Sequence, residues 1–208
     1  MKDQVFVVGG GPSLKDFNFE RLRYKDTIAV NVSALDVPDP NYCITADSGM
    51  FKKVQEGVFA NIKTCWVGVT NPNHCTMQYK DGVFRNTKTG FVYNLFAFDV
   101  IIKNNGVEGF GFSFDDFKTG YNSGFCALQL AYLLGYAKIY LLGIDLQTGD
   151  HYHERYNGRI QKTCIDLFYK SFVEALQIIK EKTSTQVFSC SSISRLNNII
   201  PYVPFGEV

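Results

Sequence analysis

The apolar run Val5-Phe-Val-Val8 stops at Gly9-Gly-Gly-Pro-Ser13, and no other feature constrains the chain as much as this junction. Four consecutive apolar residues suit a strand covered on both faces, as in a parallel sheet. Three glycines permit a sharp turn and a close approach to the backbone, and Pro12 fits the first turn of a helix, where a missing N–H costs nothing. A strand, a glycine turn and a helix start form a βα unit whose unpaired amides and aligned peptide dipoles favour an anion. Gly9, Gly10, Gly11 and the Ser13 hydroxyl are the first candidate binding residues. The spacing matches neither the dinucleotide fingerprint nor the Gly-Lys-Ser/Thr of a P-loop. A purely structural βα turn is the alternative reading.

The rest of the chain extends the pattern. Apolar runs predict strands at 4–8, 27–31, 42–46, 64–69, 138–142 and 186–189, and periodic segments predict helices at 14–22, 51–56, 125–134 and 162–182. Strands alternating with helices define an α/β protein with one Rossmann-like, mostly parallel sheet and helices on both faces. The 208 residues fit one such domain, 1–208. Between 73 and 118, aromatic residues alternate with Gly, Asn, Asp and Thr without a helical period, which predicts a small insertion or lid, or a plain peripheral hairpin layer.

Composition narrows the partners. The formal net charge is +1, with both signs interspersed, so there is no broad basic field for duplex nucleic acid, and only a localised strip would escape that count. Six widely spaced cysteines without a CxxC pair read as free thiols in a reducing compartment, and they give no structural zinc site. No apolar run reaches membrane-spanning length, and Met1-Lys-Asp leads straight into a strand, so the expected location is the cytoplasm of a bacterial or phage-infected cell. The aromatic-rich middle can hold an acceptor or form a subunit interface, including that of a homo-oligomer.

Two further stretches carry candidate chemistry. Thr119-Gly-Tyr-Asn-Ser-Gly124 opens an apolar helix, and the strand after it ends at Gly143-Ile-Asp145. Asp47 likewise follows an apolar strand, and in open α/β sheets such strand ends line the ligand crevice. Asp47 and Asp145 can hold Mg²⁺ for pyrophosphoryl transfer; Asp145 can equally accept backbone N–H groups at a loop start. Of three histidines, His151 and His153 fall in the polar loop after Asp145. His153 is the first choice for a catalytic base and His151 the second, because imidazole titrates near neutrality. A zinc site from this pair with Asp150 or Glu154 is the weaker option, since adjacent ligands alone do not define a tetrahedral site. Arg195, flanked by Ser192 and Ser194, is the best arginine for a phosphate, with a solvated surface arginine as its alternative.

Taken together, Gly9-Gly-Gly-Pro-Ser-Leu14, Asn31 at the end of the second strand, Asn122-Ser-Gly124, and the run from Leu134 to Asp145 resemble the bacterial CMP-sialic-acid-dependent sialyltransferases of the Campylobacter type. They equally resemble a wider group of phage and bacterial proteins similar to the archaeal 6-hydroxymethylpterin diphosphokinase. The resemblance covers residues 4–31 and 119–146, and 186–203 more loosely. It implies a Rossmann-like fold and a metal-independent glycosyltransferase that takes a sugar from a nucleotide-activated, CMP-linked donor to an unidentified acceptor, with no cofactor required. It implies that Gly10, Gly11 and Ser13 sit at the nucleotide loop, Asn31 beside the nucleotide, and Asn122, Ser123 and Gly124 at a second anion-binding turn. It also implies that Tyr152 and Tyr156 lie near the donor phosphate. Gly10 stands where family members carry Asn or Ser, which removes one side-chain contact to the nucleotide. The alternatives are the Mg²⁺-dependent pyrophosphokinase and a nucleotide-binding phage protein without catalysis.

Overall fold

A computed structural model describes residues 2–70, 77–80, 83–86, 92–94, 98–153 and 162–208. The elements are β1 (Lys2–Val8), β2 (Thr27–Val30), β3 (Tyr42–Thr45), α1 (Ser48–Gln55), β4 (Cys65–Thr70), β5 (Met77–Lys80), β6 (Val83–Asn86), β7 (Val92–Asn94), β8 (Val100–Lys103), α2 (Ser123–Leu133), β9 (Tyr136–Leu142), α3 (Lys162–Lys182) and β10 (Gln186–Ser189). Seven strands form one sheet in the order β10-β9-β1-β2-β3-β4-β8, and every pairing in it is parallel. The chain builds outward from β1 through β2, β3 and β4, then returns to the other side of β1 with β9 and β10. The strand order therefore reverses between β1 and β9, where such sheets open a crevice at the carboxyl ends of their strands.

Strand alternation divides the core into two layers. Val5 and Val7 of β1 pack with Phe125 and Leu128 of α2 and Phe172 and Leu176 of α3. Phe6 and Val8 face the other way, onto Leu14, Leu22, Tyr140 and Phe205. The two layers are built differently. α2 and α3 cover the first, and α2 is buried from Ser123 to Ala131, as its nearly uniform apolar sequence predicts. The second is covered by α1, by single 3₁₀ turns and by the C-terminal tail, where Phe6 stacks against Tyr140 and meets the edge of Phe205.

One local expectation changes, and one strand appears that the sequence did not predict. The helix expected at 14–22 is two 3₁₀ turns, Pro12–Leu14 and Phe19–Leu22. Asn18 is extended and its side chain accepts the Glu20 N–H, so the chain restarts there while Leu14 and Leu22 still reach the core. Within 73–118, β5, β6 and β7 form a small antiparallel sheet, whereas β8 joins the main sheet beside β4. The Asp99 carboxylate secures that edge by accepting the Trp66 N–H at 2.7 Å. The thiols of Cys43 and Cys126 are buried, and burial raises their pKa; Cys164 is exposed on α3. Among the described residues no helix is long and apolar enough to cross a membrane.

Candidate active site

A cleft of about 600 Å³, its open mouth included, lies at the β1/β9 reversal and is bordered by Gly9 to Pro12, Asn31, Asn122 to Gly124, Gly143 to Gln147 and His151. Ile165 and Phe168 of α3 form an apolar side.

The glycine loop is shaped by β9 as much as by any ligand. Gly9 N–H donates to the Leu142 carbonyl and Gly11 N–H to the Gly143 carbonyl, both at 2.8 Å. A Cβ on Gly11 would overlap the Asp145 carboxylate, and one on Gly9 would meet the Gly143 carbonyl and Ile144. Asp145 is 2 % exposed. Its Oδ2 accepts the Ser13 N–H and its Oδ1 the Ser13 hydroxyl, each at 2.8 Å. Three of the loop's amides are thus used internally. Among the described residues the Gly10 N–H has no partner.

The end of β2 supplies a different kind of group. Asn31 sits in the left-handed region at φ 55°, where a non-glycine residue needs a reason. Its Oδ1 is buried with no hydrogen-bond partner, and a buried acceptor in that state is costly unless a ligand or water meets it. Behind it, the buried Ser33 hydroxyl donates to the Val8 carbonyl at 2.7 Å and accepts the Val30 N–H at 2.8 Å, tying β1 to β2. Sequence reasoning passed over Ser33, because nothing local marks a serine as an inter-strand tie.

At the start of α2, Asn122 Oδ1 accepts the Gly124 and Phe125 N–H groups at 2.7 and 3.3 Å, a helix cap of the usual chemistry. Ser123 Oγ accepts the Ala46 N–H at 3.0 Å, which fixes the helix start to the end of β3. Gly124 packs where a Cβ would meet Asn122 and Ile144.

The loop after β9 brings His151 to the cleft. Its Nδ1 lies 3.0 Å from the Gly10 carbonyl, so Nδ1 carries the proton and Nε2 is the basic nitrogen of the neutral ring. Burial lowers the His151 pKa, opposed by the Gly10 carbonyl and Asp150. Tyr152 N–H donates to the same carbonyl at 3.2 Å. The Tyr152 ring turns to the second core layer beside Phe19, and its hydroxyl donates to Asp36 Oδ2 at 2.8 Å. His153 Nε2 lies 3.7 Å from that same Asp36 oxygen. Neither Tyr152 nor His153 borders the cleft. Gln147, which borders the cleft and whose Nε2 donates to the Ile193 carbonyl at 2.8 Å, was invisible as a site residue, since its partner is remote in sequence.

Asp47 and Arg195 are not among the residues that border the cleft. Asp47 is exposed and caps α1 by accepting the Gly49 N–H at 2.6 Å, and it does not border the cleft. Of the two carboxylates, Asp145 borders the cleft and Asp47 does not. The Arg195 guanidinium pairs with Asp166 at 2.8 Å and covers the Tyr169 ring, while its backbone N–H donates to the Asp145 carbonyl. Tyr156 and Glu154 lie outside the described residues. Among the described residues no group of three or more His, Cys, Asp or Glu side chains could hold a metal ion.

Fold and cleft together define a Rossmann-like α/β protein with its crevice at the β1/β9 reversal. Among solved structures, this chain is similar to the sialyltransferase CstII from Campylobacter jejuni in complex with the substrate analogue CMP-3FNeuAc, with a TM-score of 0.60 and 19 % identity over 100 % of this chain and 88 % of that one. It is similar also to that sialyltransferase in complex with a trisaccharide acceptor and CMP, with a TM-score of 0.61 and 18 % identity over 99 % and 88 % of the two chains. The MAf glycosyltransferase from Magnetospirillum magneticum AMB-1 matches at a TM-score of 0.59 and 14 % identity, over 100 % of this chain and 34 % of that one. At these identities the likeness is one of fold. No family model and no curated protein matches the sequence.

Proposed function

We propose that this protein transfers a sugar from a CMP-linked donor to a hydroxyl-bearing acceptor, with His151 as the general base and no metal in the reacting scheme. The observation that carries the reading is His151 at the cleft, with Nδ1 hydrogen-bonded to the Gly10 carbonyl. That bond fixes the tautomer, so Nε2 is the atom that takes the acceptor's proton. The same carbonyl belongs to the glycine loop, so base and nucleotide loop are held in one register. Asn31 Oδ1 is the acceptor waiting for a donor group on the nucleotide, and the Gly10 N–H serves its phosphate. The fold shared with a sialyltransferase solved with CMP and a CMP-sugar analogue supports the choice of donor. His151 is thus preferred over His153 as the base, and Asp145 holds Ser13 by both carboxylate oxygens.

Calorimetric titration with CMP in the absence of divalent metal, followed by a CMP-sugar hydrolysis or transfer assay, tests the proposal. His151→Ala is expected to lower kcat by roughly 10²- to 10⁴-fold with little change in CMP affinity, and His153→Ala to lower it far less. Because burial depresses the His151 pKa, the ring is neutral above a value below the ordinary imidazole one of about 6.5. The kcat/KM profile should rise with pH through that depressed value and stay level above it. The stability that the buried neutral ring contributes is present above the unfolded-state pKa and is lost as pH falls below it. Equal loss in the two histidine variants, or CMP binding only with Mg²⁺, would sink the assignment.

A further inference from the structure

A phosphate cradle presents bare amides to its ligand, but here a carboxylate already occupies the loop. The Asp145 carboxylate, 2 % exposed, accepts both the amide and the hydroxyl of Ser13 at 2.8 Å. It stands so close to Gly11 that a side chain there would overlap it. The Gly9 and Gly11 amides are spent on β9 carbonyls. Among the described residues bordering the cleft, the titratable ones are Asp145 and His151, and none is Lys or Arg. With His151 held toward its neutral form by burial, the fixed charge among these described residues is negative. Like charges close together in a partly desolvated cleft repel strongly, and each added phosphate brings more negative charge to the same loop.

We propose that Asp145 is a specificity-determining residue: its carboxylate fills the anion seat of the glycine loop and restricts the cleft to ligands with a single phosphate, turning away nucleoside diphosphates and diphosphate-linked sugars. The inference rests on the donor reading above. Ser13 is the partner that keeps the carboxylate in place, and Gly11 is the residue whose missing side chain leaves room for it.

The test is calorimetric titration of wild type and Asp145→Asn with CMP and CDP at one ionic strength and without divalent metal. Asparagine keeps both Ser13 contacts, with Oδ1 accepting from the amide and Nδ2 donating to the hydroxyl, and removes the charge. Wild type is expected to bind CMP at least about tenfold more tightly than CDP, and Asp145→Asn to shrink that ratio by about tenfold, mainly through tighter CDP binding. Asp145→Ser, also neutral, serves if the first variant fails to fold. Wild type that binds CDP as tightly as CMP overturns the inference without any variant. CMP binding with an unchanged ratio in a folded neutral variant overturns the inference alone, whereas binding of neither nucleotide overturns the donor reading and the inference with it.

Discussion

The glycine loop after β1 and the start of α2 both border the cleft, and both look in sequence like open anion turns, yet their amides are satisfied from opposite directions. At α2 the partner is local: Asn122 caps the Gly124 and Phe125 amides two and three residues on. At the glycine loop it comes from across the sheet, where Asp145 at the end of β9 binds Ser13, 132 positions earlier. A local cap needs only its own turn to form. The Asp145 latch needs β1 and β9 paired in the correct register, with Val8 beside Leu142. The loop is consequently a product of the whole sheet, and changes there should cost more than changes at α2.

Gly11→Ala should have the largest effect. The added Cβ overlaps both the Asp145 carboxylate and the Gly143 carbonyl, so a loss of about 3 kcal/mol is expected in urea unfolding, together with loss of CMP binding. Ser13→Ala comes next: it leaves one oxygen of a buried carboxylate without its partner, at about 2 kcal/mol. Asn31→Gly sharpens the comparison differently, because glycine keeps the left-handed backbone at φ 55° while losing the amide. CMP affinity should fall about five- to tenfold, the worth of one hydrogen bond, with the unfolding midpoint nearly unchanged. Asn122→Ala and Asp47→Ala remove helix caps and should each cost about 1 kcal/mol. Asn122→Ser should restore most of that loss, and Asp47→Ala should leave CMP affinity untouched. If Asn122→Ala cost more than Gly11→Ala, the contrast between local and long-range closure would fail.

Much of the fold was legible because it rests on short-range pattern. The strand at 186–189 and the helix at 162–182 match β10 and α3, since apolar periodicity and flanking polar residues decide such elements. α2 closes at Gly135, with the Gly135 N–H on the Tyr132 carbonyl. β8 was not legible: Val100-Ile-Ile-Lys103 is brief, and it becomes a strand by pairing with β4. The site was read unevenly for the same reason. Gly9 to Pro12, Asn31 and Asn122 to Gly124 border one cleft, whereas Ser13 is turned to the Asp145 carboxylate. The order of the histidines was not readable, because spacing of two residues in an irregular loop says nothing of which ring meets Gly10 and which meets Asp36.

By itself, then, the sequence determined the alternating α/β architecture, the glycine turn after β1 and the capped start of α2, because each follows from residues within a turn or two of one another. Only the tertiary structure decided that Asp145 closes the glycine loop, that His151 rather than His153 borders the cleft, and that Asp47 and Arg195 do not. Those are contacts between strand ends and loops remote in sequence, and they exist only once the parallel sheet has set the register that brings them within hydrogen-bond distance.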